Sequence, residues 1–124
     1  MSDMSAYLGD KLLNWMLGSA FGSAPANVYA ALYNGDPDGG GTELTGTINL
    51  TRQIVDWGSV SARAVANDAE VNFGTANNTG TATYVALFDA SSSGNQLSKK
   101  SISSASITSG EKVAIAIGAL TLSY

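Results

Sequence analysis

Neither cysteine nor histidine occurs in the 124-residue chain. The first absence excludes disulfides, thiolate metal sites and a cysteine nucleophile. The second removes the commonest general base, the commonest metal ligand and the only side chain whose unperturbed pKa lies near neutrality. Charge is scarce as well: 13 % of the residues are charged, against about 25 % in an average globular protein. Ten acids against six bases leave a net charge of −4. Lys99-Lys100 is the only adjacent basic pair, so direct binding of nucleic acid, which needs clustered cations to neutralise phosphates, is not expected. No apolar run approaches the roughly 20 residues of a membrane span. Met1-Ser2-Asp3-Met4 carries neither the basic region nor the hydrophobic stretch of an export signal, and synthesis in the cytosol without export by the usual route is the expectation.

Small residues dominate instead. Ala, Gly, Ser and Thr supply 58 of the 124 positions, a composition that suits a scaffold better than a catalyst. The length fits one compact domain, 1–124, able to bury roughly two-thirds of its unfolded surface without metal or disulfide staples.

Hydrophobic periodicity divides the chain in two. From Ser5 to Leu17 the apolar residues Leu8, Leu12, Trp15 and Met16 fall on one face of a 3.6-residue period, with Ser5 as N-cap and Gly18 where helices commonly end. That face can pack on its own domain or on a neighbouring subunit. After Pro25 the period becomes 2. Alternation predicts strands over Asn27–Tyr33, over Ile48–Trp57 (with Ile48, Leu50, Arg52 and Ile54 opposed to Val55 and Trp57), around Ala69–Phe73, and over Thr81–Phe88. Further strands are expected over Val113–Ile117 and, after a break at Gly118, at Leu120 and Leu122, while Ser101–Ser109 reads as a solvated or edge strand face. Asn34–Gly41, Asn77–Gly80 and Asp89–Asn95 read as turns. Strands this short, separated by regular turns, imply an all-β fold over 27–124: a β-sandwich of jelly-roll type behind one short N-terminal helix, 5–17. Tyr29-Ala30-Ala31-Leu32-Tyr33-Asn34 echoes Tyr84-Val85-Ala86-Leu87-Phe88-Asp89, which suggests two similar core strands facing each other across the sandwich.

The chemistry of the residues is meagre. Asp36, Asp38 and Glu43 flank a glycine-rich loop in a loose likeness of a calcium site, but EF-hand spacing is absent and a surface turn explains them. Gly39, Gly40 and Gly41 are not followed by Lys and Ser/Thr in Walker order. Without histidine a Ser-His-Asp triad is impossible. Asp56, Asp68, Glu70 and Asp89 could in principle form a carboxylate pair of glycosidase type, yet turn and strand-edge roles account for them. No catalytic residue, cofactor or metal ligand is expected. Arg52, inside an alternating apolar stretch, suits a structural or intersubunit pair. Tyr29, Tyr33, Tyr84 and Trp57 would offer stacking surfaces to a carbohydrate if several lay exposed together, which makes an adhesion module the reading from another class.

An ordered series of segments then points to a family. Tyr7-Leu8-Gly9-Asp10-Lys11-Leu12-Leu13-Asn14, Val28-Tyr29-Ala30-Ala31-Leu32-Tyr33 running into Asp36-Pro37, Gly41-Thr42-Glu43-Leu44, Arg52-Gln53 and Asn72-Phe73 begin it. Ala86-Leu87-Phe88-Asp89-Ala90, Gly94-Asn95-Gln96-Leu97 and Gly110-Glu111 leading to Gly118-Ala119-Leu120-Thr121-Leu122 complete it. Together they resemble small tailed-bacteriophage virion proteins, whose members are labelled tail-fibre or head-decoration proteins. Leu50 departs from the pattern, where an aromatic usually stands two residues before the Arg-Gln pair. The resemblance implies a structural protein of the virion, made in the host cytoplasm and without catalytic residues. The expected role is a capsid decoration or cement protein, a homotrimer bridging copies of the major capsid protein. A tail-fibre or head-fibre component is the alternative. Leu8, Leu12, Trp15, Arg52, Leu122 and Tyr124 are the expected subunit contacts.

Overall fold

The computed structural model describes residues 4–47 and 50–123. It is an all-β sandwich with one substantial helix, as the strand spacing implies. The elements run α1 (Ala6–Met16), β1 (Tyr29–Asn34), β2 (Thr42–Glu43), a single-turn α2 (Leu44–Thr47), β3 (Gln53–Ile54), β4 (Ala64–Ala66), β5 (Val71–Thr75), β6 (Gly80–Phe88), β7 (Gln96–Ile107), β8 (Lys112–Ile115) and β9 (Thr121–Ser123). The main sheet has the antiparallel order β2-β1-β6-β7, with β3 also pairing β1. Two strand pairs, β4-β9 and β5-β8, form the other layer.

The sequence echo resolves differently from the expectation. Its two copies are neighbours in one sheet, not opposed across the sandwich: β1 pairs β6 from Tyr29↔Phe88 to Tyr33↔Tyr84, with Ala31 opposite Ala86 at the centre. Two strands with the same apolar alternation can present one continuous face on each side when paired antiparallel. Ala30, Leu32, Val85 and Leu87 point inward and meet Val71, Phe73, Ile107 and Leu120 of the main core. Ala31 and Ala86 point outward and are nevertheless inaccessible. Their small side chains leave room for the Tyr33 and Phe88 rings, which lie nearly parallel with centroids 6.3 Å apart.

The strand expected over Ile48–Trp57 is mostly irregular. Ile48 falls outside the described residues. Of the rest only Gln53–Ile54 is a strand, and Trp57 makes one isolated bridge to Asn67. The supposed common face does not exist, since Leu50 is buried and Ile54 is half exposed. The chain must turn here so that Leu50 enters the core while Arg52 reaches the opposite side of the main sheet. β7 is longer than its serine-rich half suggests, and Ser101–Ser106 lies on the exposed sheet edge as expected. Its pairing with β6 is interrupted by a bulge between Ala82 and Tyr84.

Local chemistry fixes the turns. Gly35 has φ of 93°, and a Cβ on Gly41 would run into the Gly35 carbonyl, so the loop between β1 and β2 closes only with glycine at both positions. Ser61 and Ala64 exchange two backbone hydrogen bonds of 2.9 Å across a two-residue turn. Its central residues, Ala62 and Arg63, have φ of 51° and 62°.

One buried polar residue joins the strand pairs of the second layer. Asn67 is 2 % exposed. Its Nδ2 donates to the Ala69 and Ala116 carbonyls at 2.9 and 3.1 Å, and its Oδ1 accepts from the Leu120 N–H at 3.0 Å. Nothing in the sequence pattern marks it. Replacement by a leucine of similar bulk strands the Ala69 carbonyl and the Leu120 N–H, each costing about 1–3 kcal/mol, while the Ala116 carbonyl keeps the Ala119 N–H at 3.1 Å. Asn67→Leu is therefore expected to lower the urea midpoint sharply. An unchanged midpoint would mean that the Asn67 bonds contribute nothing net.

Candidate assembly surface

The helix is anchored at its start and free at its end. Ser5 accepts the Leu8 N–H on its side chain at 3.1 Å and donates its own N–H to the Leu97 carbonyl at 3.0 Å, fastening the N-terminus to β7. At the other end the Gly18 N–H reaches the Trp15 carbonyl and the Ser19 N–H the Asn14 carbonyl, with Gly18 left-handed at φ of 103°. This pattern is a Schellman closure. Between these caps the predicted apolar face divides. Leu8 and Leu12 are half-buried, whereas Trp15 and Met16 are 56 % and 66 % exposed. The chain then doubles back: the Lys11 ammonium donates to the Phe21 carbonyl at 2.9 Å and lies 5.4 and 6.0 Å from the Tyr7 and Phe21 ring centroids.

At the base of the helix lies an apolar groove of about 330 Å³ whose walls include Leu8, Val28, Trp57, Val65, Leu97 and Leu122. Val60, 75 % exposed, joins it to a second hollow bounded by Arg63, Ala64, Val65 and Leu122. The structure thus brings Leu8 and Leu122 to one place and sets Trp15 apart on the overhanging last turn. Tyr124 falls outside the described residues.

Arg52 is elsewhere, and it is engaged within the chain. Its side chain is 7 % exposed. Nε and Nη2 form a bidentate fork with Glu43 at 2.9 and 3.1 Å, and Nη1 donates to the Ala90 and Ser93 carbonyls at 3.0 and 2.9 Å. The guanidinium also covers the Phe88 ring, 3.6 Å from its centroid. Burial pushes the Glu43 carboxyl up, but hydrogen bonds from Arg52 and Thr45 outweigh it and hold the group below its ordinary value. Burial, then the Glu43 charge, raises the Tyr33 hydroxyl. Asp36 and Asp38 pair with Lys99 at 2.7 and 3.1 Å, which holds Asp36 low and Lys99 high. The three carboxylates near the glycine-rich loop are thus divided between two cations. Of the aromatic residues, Tyr29, Tyr33 and Tyr84 share the outer face of the main sheet, while Trp57 packs against the main core on the other side.

Across residues 3–123 the chain matches the family described as podophage GP4 fiber I protein gp80. The chain belongs to this family. It is accordingly a phage structural protein of fibre type and part of the virion. A search of curated proteins returns no match. Within this family member Leu50, the departure from the aromatic pattern noted above, is fully buried and belongs to the main core.

Removing one partner of a largely buried ion pair leaves the other charge desolvated. Arg52→Ala is expected to destabilise the protein by about 3 kcal/mol, read from the shift of its denaturant midpoint. The Glu43 carboxyl has a folded pKa below its ordinary 4.5. Its stabilisation is therefore complete above that value and is lost as pH falls through the folded pKa. Melting curves between pH 7 and pH 3 are expected to show a steep acid limb that Glu43→Gln flattens. The part due to Asp36 and Asp89, both also held low, remains in the variant.

Proposed function

We propose that this protein is a structural subunit of a podophage tail fibre, acting by contact and not by catalysis, with further copies of itself, as a trimer, and a neighbouring virion protein as partners. The observation that carries the proposal is the match to a fibre family along nearly the whole chain. That description favours the fibre over capsid decoration or a cement on the major capsid protein. The geometry supports a mechanical role. The most strongly networked polar group, Arg52, links β2, the end of β6 and the loop that follows, instead of facing a cavity. Both members of the only adjacent basic pair are engaged: Lys99 with Asp36 and Asp38, Lys100 with the Thr121 carbonyl and hydroxyl. This speaks against binding to packaged nucleic acid.

Location and copy number on intact particles test the proposal. Gold-labelled antibody is expected to mark the tail vertex alone, with a small fixed number of copies per particle by quantitative mass spectrometry. Hundreds of copies spread over the head would replace the fibre with decoration.

A further inference from the structure

We propose that the end of α1 and the segment after it form an arm that docks in the apolar groove of a second copy of this chain. This deepens the self-association just proposed, and it holds whether the assembly stands on the tail or on the head. From Leu12 to Gly35 no side chain is charged, and residues 13–27 are all exposed. Leu13, Trp15, Met16, Leu17 and Phe21, on this stretch, are 58, 56, 66, 84 and 38 % exposed. They amount to roughly 600 Å² of open apolar surface, the upper end of what a soluble monomer leaves uncovered. That is about three-quarters of the ~800 Å² each partner gives to a standard interface. The shape is held from within, by the Schellman closure at Gly18 and by the clamp of Lys11 on Phe21, so the arm is built before it meets a partner and little ordering entropy opposes docking.

The same chain carries a receptor of matching chemistry. The groove walls at Leu8, Val28, Trp57, Val65, Leu97 and Leu122 include no charged side chain, and Val60 extends them. The arm does not fill its own groove, for none of residues 9–27 lines it. Leu8 lines it, and Leu17 stands nine residues further along a continuous helix and its cap, about 13 Å away at 1.5 Å per residue. A second copy supplies arm and groove in equal number. Such a contact is heterologous, each copy giving one surface and receiving the other, and it closes into a ring when the rotation permits. A lipid surface fits less well: interfacial helices carry Lys and Arg along their polar face, and Lys11 is the only cation on α1.

Complementation between two surface variants tests this. Leu17→Asp disables the arm and Val60→Asp the groove, and both positions are too exposed for either change to disturb the core. Matching thermal melts confirm that both fold. Analytical ultracentrifugation is expected to show an oligomer for the native chain, monomers for each variant alone, and a one-to-one dimer when the two are mixed, formed by the intact arm of one in the intact groove of the other. In a Trp57→Phe background Trp15 is the sole indole, and its emission is expected to shift to the blue as concentration drives assembly. A native chain that stays monomeric, or a mixture of variants that does so, overturns the proposal. So does a Trp15 emission that responds only to anionic phosphatidylglycerol vesicles, or only to particles lacking this protein. Antibody labelling at the head would displace the fibre assignment and leave the complementation result standing.

Discussion

The outer half of the molecule depends on one guanidinium. Arg52 is one of only two arginines in the chain, and it is placed where an unpaired charge would be costly. Its burial is tolerable because its donors are matched in the geometry an arginine prefers: a planar fork onto Glu43, two carbonyls beyond it and a ring beneath. A lysine could not bridge these groups, having a point charge where the site needs a plane. Through this one side chain the short β2, the end of β6 and the loop that follows are held in fixed relation. The cover over Ala31 and Ala86 is held with them.

This arrangement gives the main sheet two unlike faces. The inner one is aliphatic and closes against the β4-β9 and β5-β8 pairs. The outer one is built from stacked aromatics with an ion pair at its border. The closure is incomplete at one end, where Leu32, Ala82, Val85, Ile102, Val113 and Ile115 line a hollow of about 400 Å³. The exposed large apolar side chains gather mainly at the helix end, beside the groove beneath its base. Low charge has its consequence there, because uncharged surface loses little hydration on contact.

Much of this was legible in the residues. The helix limits followed from Ser5, Gly18 and the spacing of Leu8, Leu12 and Trp15, and most strands from alternation. The failures have local causes. The turn at Ala62 and Arg63 carries no sequence signal because it places ordinary residues at positive φ, where Asn-Gly would announce it. Alternation around Leu50 and Arg52 misled because the two side chains serve opposite sides of the sheet through irregular backbone, not through a strand. The echo between β1 and β6 revealed a relation but not which one, since pairing and stacking both bury the same pattern. Leu8 and Leu122 were identifiable as apolar, but their meeting in one groove is a product of topology. So is the role of Asn67, two of whose partners, Ala116 and Leu120, stand about fifty residues further along the chain.

The pairing of β1 with β6 also governs how the chain can fold. The partner of Tyr29–Asn34 begins only at Gly80, so the central ladder cannot form until a long loop, 35–79, has closed. Loop entropy makes such a step slow relative to local contacts. During synthesis β1 emerges from the ribosome with both apolar faces uncovered and waits until β6 has followed. The glycine- and threonine-rich intervening sequence, poor in long apolar runs, offers that waiting chain few wrong partners. The late arrival of β6 defers the completed scaffold until nearly three-quarters of the chain has been made.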